Sequence, residues 1–461
     1  MQQTKTVSQK LKQFFGLFIP IFVTQTSLFA MQFFNTTMAG HVSSQDLAGV
    51  AIGASIWTAI STGLAGILLA VTPTVSQYVG ARKRSNVAPF IVQAVYLAIT
   101  LGLIIIGLGA ISIPFILDSM NLEAEVYAVA YKFLVMISIG VIPLFIYTVL
   151  RCFMDALGQT KITMMITLCS IPINLFLNYC LMFGNLGFPK LGGYGAAISS
   201  SLTYWCMLAI SILVISKIPR FAVYKVFKKF LPFHFRTWKQ ILKIGIPIGF
   251  SIFFESSVFS AVTILMSQFD TNTIAAHQIA NNFQALLYMT PYSIALALTI
   301  SVGFEAGAKR FKEARTYSFI GIGAALIFAV LYITVIVIWN HSIVSIYTSD
   351  TNIKKVAEVF LLFAALFQLS DAIATPVQGA LRGYKDVNIS FISTLLAYWG
   401  IGLPLGYILA NYTSTGASGY WIGLISGLAC AAIFLLWRLF YLQRLHFNTV
   451  KEKNLYLEEQ L

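Results

Sequence analysis

The stretch KIPRFAVYKVFKKFLPFHFRTWKQ runs from Lys217 to Gln240 and divides a chain of 461 residues into two nearly equal halves. It is basic, because residues 217–243 contain eight lysines and arginines and no acid. Over the whole chain 58% of the residues are hydrophobic and only 10% are charged, whereas soluble domains carry about 25% charged residues. The composition therefore predicts a polytopic membrane protein whose halves are joined by a basic linker.

Each half contains six apolar segments that are long enough to cross a bilayer, which takes roughly 20 residues. The predicted spans are 14–37, 48–72, 89–115, 128–150, 161–183, 194–216, 241–266, 276–301, 317–345, 355–379, 388–410 and 417–442. The first span follows basic residues and has no cleavage-site pattern. We therefore interpret it as a retained helix and not as a signal peptide.

Lysine and arginine residues indicate the orientation, since they concentrate in cytoplasmic loops. With the N-terminus placed inside, the inner segments hold 26 of the 30 basic residues. The other four are Lys132, Lys190, Lys354 and Lys355. We predict that both termini are cytoplasmic and that the net charge of +14 reflects topology and contact with anionic lipid. No basic folded surface for nucleic acid is expected.

The two halves also resemble each other when one is shifted by about 226 residues. The matched pairs are DLAGVAIGAS at 46–55 with TIAAHQIANN at 273–282, GARK at 80–83 with GAKR at 307–310, GQTK at 158–161 with GYKD at 383–386, and GGYGAAISS at 192–200 with SGYWIGLIS at 418–426. Six spans per half is an even number, so both halves are expected to cross the membrane in the same direction.

These observations predict an all-α membrane protein of twelve transmembrane helices in two pseudo-symmetric six-helix lobes. The expected parts are an N-lobe at 1–216, a cytoplasmic linker at 217–240, a C-lobe at 241–442 and a cytoplasmic tail at 443–461. Transporters built from repeats bind their substrates between or within such halves and alternate access by rocking one half against the other.

Two of the sixteen acids, Glu255 and Asp371, lie well inside predicted spans. A charge at the centre of a membrane helix costs about 2.5–3.5 kcal/mol on insertion scales. Carboxylates bind hard cations and protons, so we interpret the pair as a cation or proton site. A protonated pair that only joins helices is the alternative. By count, Glu255 lies midway along its span and Asp371 lies nearer the inner end.

A polar stripe follows the eighth span at spacings of four, three and four residues, which places its members on one helix face. Its members are His277, Asn281, Gln284 and Tyr288. Their first-half counterparts are Val50, Ala54, Trp57 and Ser61, of which only the serine is a small polar residue. The second half is therefore the better candidate for ion handling, although interhelical hydrogen bonding would also explain the stripe.

The first half offers amides instead of acids inside its spans. They are Asn35, Asn174 and Asn178, and the last two share a helix face just after Pro172. Amides can ligate or form hydrogen bonds but do not titrate. Packing beside a proline kink is the alternative interpretation.

Several segments resemble the multidrug and toxic compound extrusion (MATE) family, and the second half is most similar to its NorM-type branch. The first-half segments are NTTMAGHVSSQDLAGVAIG at 35–53, DALGQTK at 155–161 and PINLFLNY at 172–179. The second-half segments are FFESSVF at 253–259, AAHQIANNF at 275–283 and SDAIATPVQGALRGYKD at 370–386. The resemblance covers nearly the whole chain.

The resemblance implies an antiporter that expels flat, often cationic organic compounds in exchange for Na+ or H+. The second-lobe carboxylates that bind the coupling cation in the NorM branch match Glu255 and Asp371 here. The acids that family members carry on the first and fifth helices align with Asn35 and Asn178. This departure shifts the expected coupling role to Glu255 and Asp371, which would bind Na+ or H+ with support from the polar stripe.

We accordingly expect no enzymatic activity and no cofactor besides the coupling ion. The expected partners are small organic cations and membrane lipid, and the expected state is a monomer in a bacterial plasma membrane. A lipid-linked precursor flippase of the same superfamily is one alternative, but it would favour basic residues deep in its spans, and none is predicted. An intramembrane enzyme is another, but the five histidines are dispersed, and no phosphate-binding loop motif is present.

Overall fold

The computed structural model describes residues 3–227 and 231–458, so residues 228–230 of the predicted linker and 459–461 of the predicted tail lie outside it. Within those ranges the regular structure is helical and contains no strand. The helices of the first half are α1 (Val7–Gly40), α2 (Ser44–Leu68), α3 (Val71–Gly80), α4 (Val87–Ser119), α5 (Ala124–Ser138), α6 (Val141–Ala156), α7 (Thr160–Phe183), α8 (Gly195–Lys217) and α9 (Pro219–Ala222).

The helices of the second half are α10 (Phe235–Met266), α11 (Thr271–Gly307), α12 (Phe311–Tyr347), α13 (Thr351–Tyr384), α14 (Val387–Leu395), α15 (Leu403–Tyr412) and α16 (Ser418–Glu458). A π-helix, Leu396–Gly402, joins α14 to α15. Short 3-10 turns, Arg84–Asn86 and Gly192–Tyr194, precede α4 and α8.

The twelve predicted spans are confirmed. Eleven helices in the described part of the chain are long and apolar enough to cross a membrane, and the pair α5 and α6, bent by 49°, supplies a twelfth. The bend follows from a close approach, since a Cβ atom on Gly140 would lie 2.8 Å from the Ser201 Cα atom of α8. Most helices extend beyond the predicted spans, because apolarity ends at the first charged residues while helical hydrogen bonding continues to the capping turn.

The chain folds into two compact units. The N-unit comprises Val23–Val79 and Lys83–Gly249, and the C-unit comprises the described residues up to Phe22, Gly80–Arg82 and those from Phe250 onward. The unit boundaries thus fall inside α1 and α10 and not in the linker. Each lies shortly after a proline, Pro20 or Pro247, where the helical hydrogen-bond ladder is interrupted.

The helix caps repeat at a constant spacing. The Ser43 side chain accepts a hydrogen bond from the Asp46 amide at the start of α2. Asp270, which lies 227 residues after Ser43, accepts one from the Thr273 amide at the start of α11. Both caps satisfy amides of a first helical turn, so the repeat extends to the local structure of the helix ends.

The spacing corrects one of the sequence alignments. The turn after α6 has Gly158 at φ 76°, and the turn after α13 has Lys385 at φ 65°. The Gln159 amide donates to the Met154 carbonyl, and the Asp386 amide donates in the same way to the Leu381 carbonyl. Gly158 therefore corresponds to Lys385 and not to Gly383, because the shared left-handed turn fixes the register.

Candidate cation site and neutral cavity

Two carboxylates are buried in the C-unit. Glu255 lies in α10 with 9% of its surface exposed, and Asp371 lies in α13 with 1% exposed. The charge of Glu255 acts on Asp371, so the two groups are electrostatic neighbours. The structure thus brings together two acids that span counting placed at different depths, because α13 continues to Tyr384 and the predicted span ended earlier.

Hydroxyl groups contact both carboxylates. Thr375, one turn after Asp371, donates to its Oδ1 atom, and the Tyr288 hydroxyl donates to Glu255. The Oδ2 atom of Asp371 has no hydrogen-bond partner among the residues that the structure describes. Two buried carboxylates and their hydroxyl neighbours form a set of oxygen atoms that can hold a hard cation or a proton.

The polar stripe on α11 divides into two parts. Tyr288 contacts Glu255, and Gln284 is buried one turn away, while Asn281 is partly buried. His277 is fully buried elsewhere, where Thr263 lies 3.1 Å from its Nε2 atom and the Trp421 ring meets it edge-on. The stripe is therefore not a single site, and the contacts of His277 are those of a packed interface histidine.

A buried cation also acts on the carboxylates. Arg382 in α13 is 6% exposed, and its Nη2 atom donates to Gln378 Oε1 at 3.2 Å. Its positive charge acts on Glu255. The sequence predicted no arginine deep in a span, and this was wrong because the helix continues past residue 379. Thr375 was also missed, although a threonine four residues after an acid is a recognisable helical pair.

A third acid of the C-unit is buried as well. Glu305 lies near the end of α11, beyond the predicted span 276–301, and pairs with Arg310 at 2.7 Å. Lys10 of α1 is also buried, and it pairs with Glu313 of α12 at 2.6 Å. These ion pairs satisfy their own charges. The pair Glu255 and Asp371 differs from them, because like charges face each other there.

The three predicted amides of the N-unit form one network. The Asn178 Nδ2 atom donates to Asn35 Oδ1 at 2.7 Å and to Asn174 Oδ1 at 3.3 Å. Asn35 donates to the Ser200 hydroxyl at 2.9 Å, and Asn174 donates to the Thr203 hydroxyl at 3.4 Å. The positions at which the family carries acids are therefore in direct contact here, and they carry no charge.

Asn35 and Ser200 line a cavity of about 260 Å³ in the N-unit. Its walls include the rings of Trp57, Phe133 and Tyr204. The cavity corresponds to the C-unit site through the repeat, because residues 227 positions before the site residues line it. These are Leu28 and Leu144 for the two acids, and Val50, Ala54, Trp57 and Ser61 for the stripe. One location is thus acidic in the C-unit and neutral in the N-unit.

The described residues contain no cluster of three or more histidine, cysteine, aspartate or glutamate side chains. The two carboxylates remain the candidate ligands. All five cysteines are free thiols, and Cys152 and Cys180 are buried.

The family model MatE matches residues 20–180 and 247–408. The two matched segments begin 227 residues apart, which is the spacing of the internal repeat. The chain is 60% identical to a probable multidrug resistance protein NorM of Bacillus anthracis over 444 residues, which are 96% of this chain and 98% of the relative. It is 51% identical to a protein of the same name from Bacillus subtilis over 96% of this chain and 98% of that relative.

Solved structures share the fold. The eukaryotic MATE transporter AtDTX14 superposes with a TM-score of 0.86 at 20% identity, covering 97% of this chain and 99% of that one. The Vibrio cholerae MATE transporter VcmN in its bent form gives a TM-score of 0.85 at 17% identity, covering 95% and 98%.

Proposed function

The chain belongs to the MatE family, and from this membership we infer that it is a multidrug efflux transporter of a bacterial cell membrane. The matching relatives are named as multidrug resistance proteins and align over nearly their full length. The twelve apolar spans are those of a multi-pass membrane protein. The protein is therefore a transporter, and what remains to be assigned is the ion that drives it and the sites that bind ion and substrate.

We propose that Glu255 and Asp371 bind the coupling cation, Na+ or H+. The observation that carries this proposal is the burial of two carboxylates in electrostatic contact. Two buried like charges are unstable unless a proton or a cation neutralises them. Arg382 contributes one positive charge, which leaves one negative charge on the pair for a single monovalent cation to neutralise.

Exchange follows from competition for this negative charge. A bound Na+ or H+ neutralises the site and removes its attraction for a cationic substrate. Loss of the ion restores that attraction, so ion and substrate bind reciprocally, as linkage requires. Tyr288 and Thr375 orient the carboxylates through their hydroxyl groups, and Gln284 and Asn281 line the same helix face.

The neutral cavity of the N-unit suits the uncharged aromatic part of a substrate. Its rings offer stacking surfaces, and the amide network around Asn35 offers hydrogen bonds without charge. Leucines occupy the positions that correspond to the two acids. We propose that Asn35, Asn174 and Asn178 shape this cavity and take no part in ion coupling.

The test is dye efflux from proteoliposomes under an imposed Na+ gradient or, separately, an imposed pH gradient. Glu255→Gln keeps the size of the side chain and removes its charge, so we expect efflux to stop under the gradient that drives the wild type. Glu358→Gln is the matched control, because Glu358 is a partly exposed acid paired with His341. Full efflux by Glu255→Gln would refute the coupling role.

A further inference from the structure

Tyr398 has a fully buried hydroxyl group for which the described residues offer no hydrogen-bond partner. An unpaired buried hydroxyl costs about 1–3 kcal/mol, so a functional reason for it is expected. The groups that act on it electrostatically are Glu255, Asp371 and Tyr288. All three belong to the proposed cation site.

The backbone that carries Tyr398 is also irregular. Tyr398 lies in the π-helix Leu396–Gly402, and π-helical turns are rare and often occur at functional sites. The position 227 residues before Trp399 is Pro172, inside α7. Both halves thus interrupt the regular hydrogen bonding of a helix at the same point of the repeat, one with a proline and the other with a π-helix.

The π-helix is fixed to the helix that carries the first carboxylate. The Trp399 Nε1 atom donates to the Phe254 carbonyl oxygen at 3.1 Å. The rings of the same two residues meet edge-on with their centroids 6.1 Å apart. Phe254 immediately precedes Glu255, so these contacts hold the backbone of Tyr398 at the level of the carboxylate.

We propose that the Tyr398 hydroxyl oxygen is a ligand of the coupling cation, together with Glu255 and Asp371, and that the π-helix holds it in place. This inference rests on the proposed cation site. Asp371 Oδ2 is likewise buried and unpaired, so two neighbouring residues offer oxygen atoms to a cation. A hard cation such as Na+ needs several oxygen ligands, whereas a proton needs one carboxylate oxygen. The hydroxyl therefore selects for Na+.

Thermal unfolding of the purified full-length protein tests this, with Na+ replaced by choline at constant ionic strength. Because a ligand stabilises the state that binds it, the wild type should unfold at higher temperature as Na+ is added. Tyr398→Phe should unfold no earlier than the wild type without Na+, since it removes an unpaired hydroxyl. It should need about tenfold more Na+ or beyond for the same shift. Tyr407→Phe, at an exposed tyrosine of α15, should respond as the wild type does.

A wild-type Na+ response of Tyr398→Phe would overturn the inference. So would a lower unfolding temperature with and without Na+, which would mark the hydroxyl as structural. A wild type that does not respond to Na+ would overturn it too. Glu255→Gln separates the two proposals. If only Glu255→Gln loses the Na+ response, the carboxylate site stands and the Tyr398 inference fails alone. If both variants keep it, the cation site itself is wrong.

Discussion

Asn35 shows how one atom type decides the chemistry of the N-unit cavity. Its Oδ1 atom accepts from Asn178 and its Nδ2 atom donates to Ser200. A carboxylate could accept from both neighbours after the Ser200 hydroxyl turns, so the geometry would tolerate an acid here. The neutrality of the cavity is thus a choice of side chain that the surrounding packing does not impose.

We predict that Asn35→Asp makes the cavity prefer cationic substrates. The ratio of efflux of a cationic dye to that of a neutral one should rise about tenfold at neutral pH, since one charged hydrogen-bonding contact is worth roughly 1.5 kcal/mol or more. At low pH the ratio should return toward that of the wild type as the new carboxyl protonates. Dye efflux at several pH values measures this.

Thr37→Asp provides the matched control for that substitution. It adds the same charge two residues later on α1, at an exposed position outside the cavity lining. An equal rise in the ratio for both variants would show that the cavity does not select the substrate.

At the residue scale, the sequence revealed what disturbed its own pattern. An acid in an apolar run is conspicuous because it is costly, so Glu255 and Asp371 could be found. A tyrosine in an apolar run is ordinary, so nothing distinguished Tyr398. Arg382 was assigned to a turn because hydropathy does not show how far α13 continues. Whether a polar atom is left unpaired depends on the packing of distant segments, which no local pattern encodes.

At the element scale, small residues decide how closely helices pack in the C-unit. Gly423 of α16 faces the π-helix and α15, and a Cβ atom there would lie 2.4 Å from the Gly402 carbonyl oxygen and 2.5 Å from Gly406 Cα. Such contacts are typical of membrane helices that approach through glycine. Because the π-helix carries Tyr398, this contact also supports the proposed ligand.

We predict that Gly423→Ala destabilises the protein by about 1–3 kcal/mol, the range for overpacking a tight site. Gly323→Ala is the control, because a Cβ atom on Gly323 in α12 meets nothing within 4 Å. It should be neutral or stabilising by up to about 1 kcal/mol, since alanine favours a helix. Thermal unfolding in detergent measures both, and equal stability of the two variants would contradict the packing argument.

The existence of the helices was predictable because about 20 apolar residues leave few alternatives in a membrane. Their ends were less so, since capping continues a helix past its apolar run. The π-helix was not predictable. Its residues Leu396–Gly402 are as apolar as their neighbours, and the change in hydrogen bonding arises from contacts with α10 and α16.

At the scale of the whole molecule, the distribution of basic residues predicts the orientation, which we propose with both termini in the cytoplasm. The test uses the protein with its five cysteines replaced and single cysteines added at exposed positions. Ser349→Cys should react with a membrane-impermeant maleimide added to intact cells, and Ser85→Cys should react only after the cells are broken. The opposite pattern would invert the topology.

The repeat was visible in the sequence because its spacing varies little, and the family model matches it twice. The division into compact units was not visible. It depends on the first part of α1, which packs within the C-unit through Lys10 and Glu313, and on the first part of α10, which packs in the N-unit against Ile67. Contacts so distant along the chain leave no local pattern in either helix.

The central claim is that one buried acidic pair exchanges a cation for substrate. Substrate-driven cation movement tests it most directly, in proteoliposomes that begin with an outward substrate gradient and no ion gradient. The account predicts inward movement of Na+ or H+ that requires the substrate, is lost in Glu255→Gln and Asp371→Asn, and persists in Glu358→Gln. Substrate efflux at the wild-type rate without cation movement, or cation movement that survives in both acid variants, would contradict it.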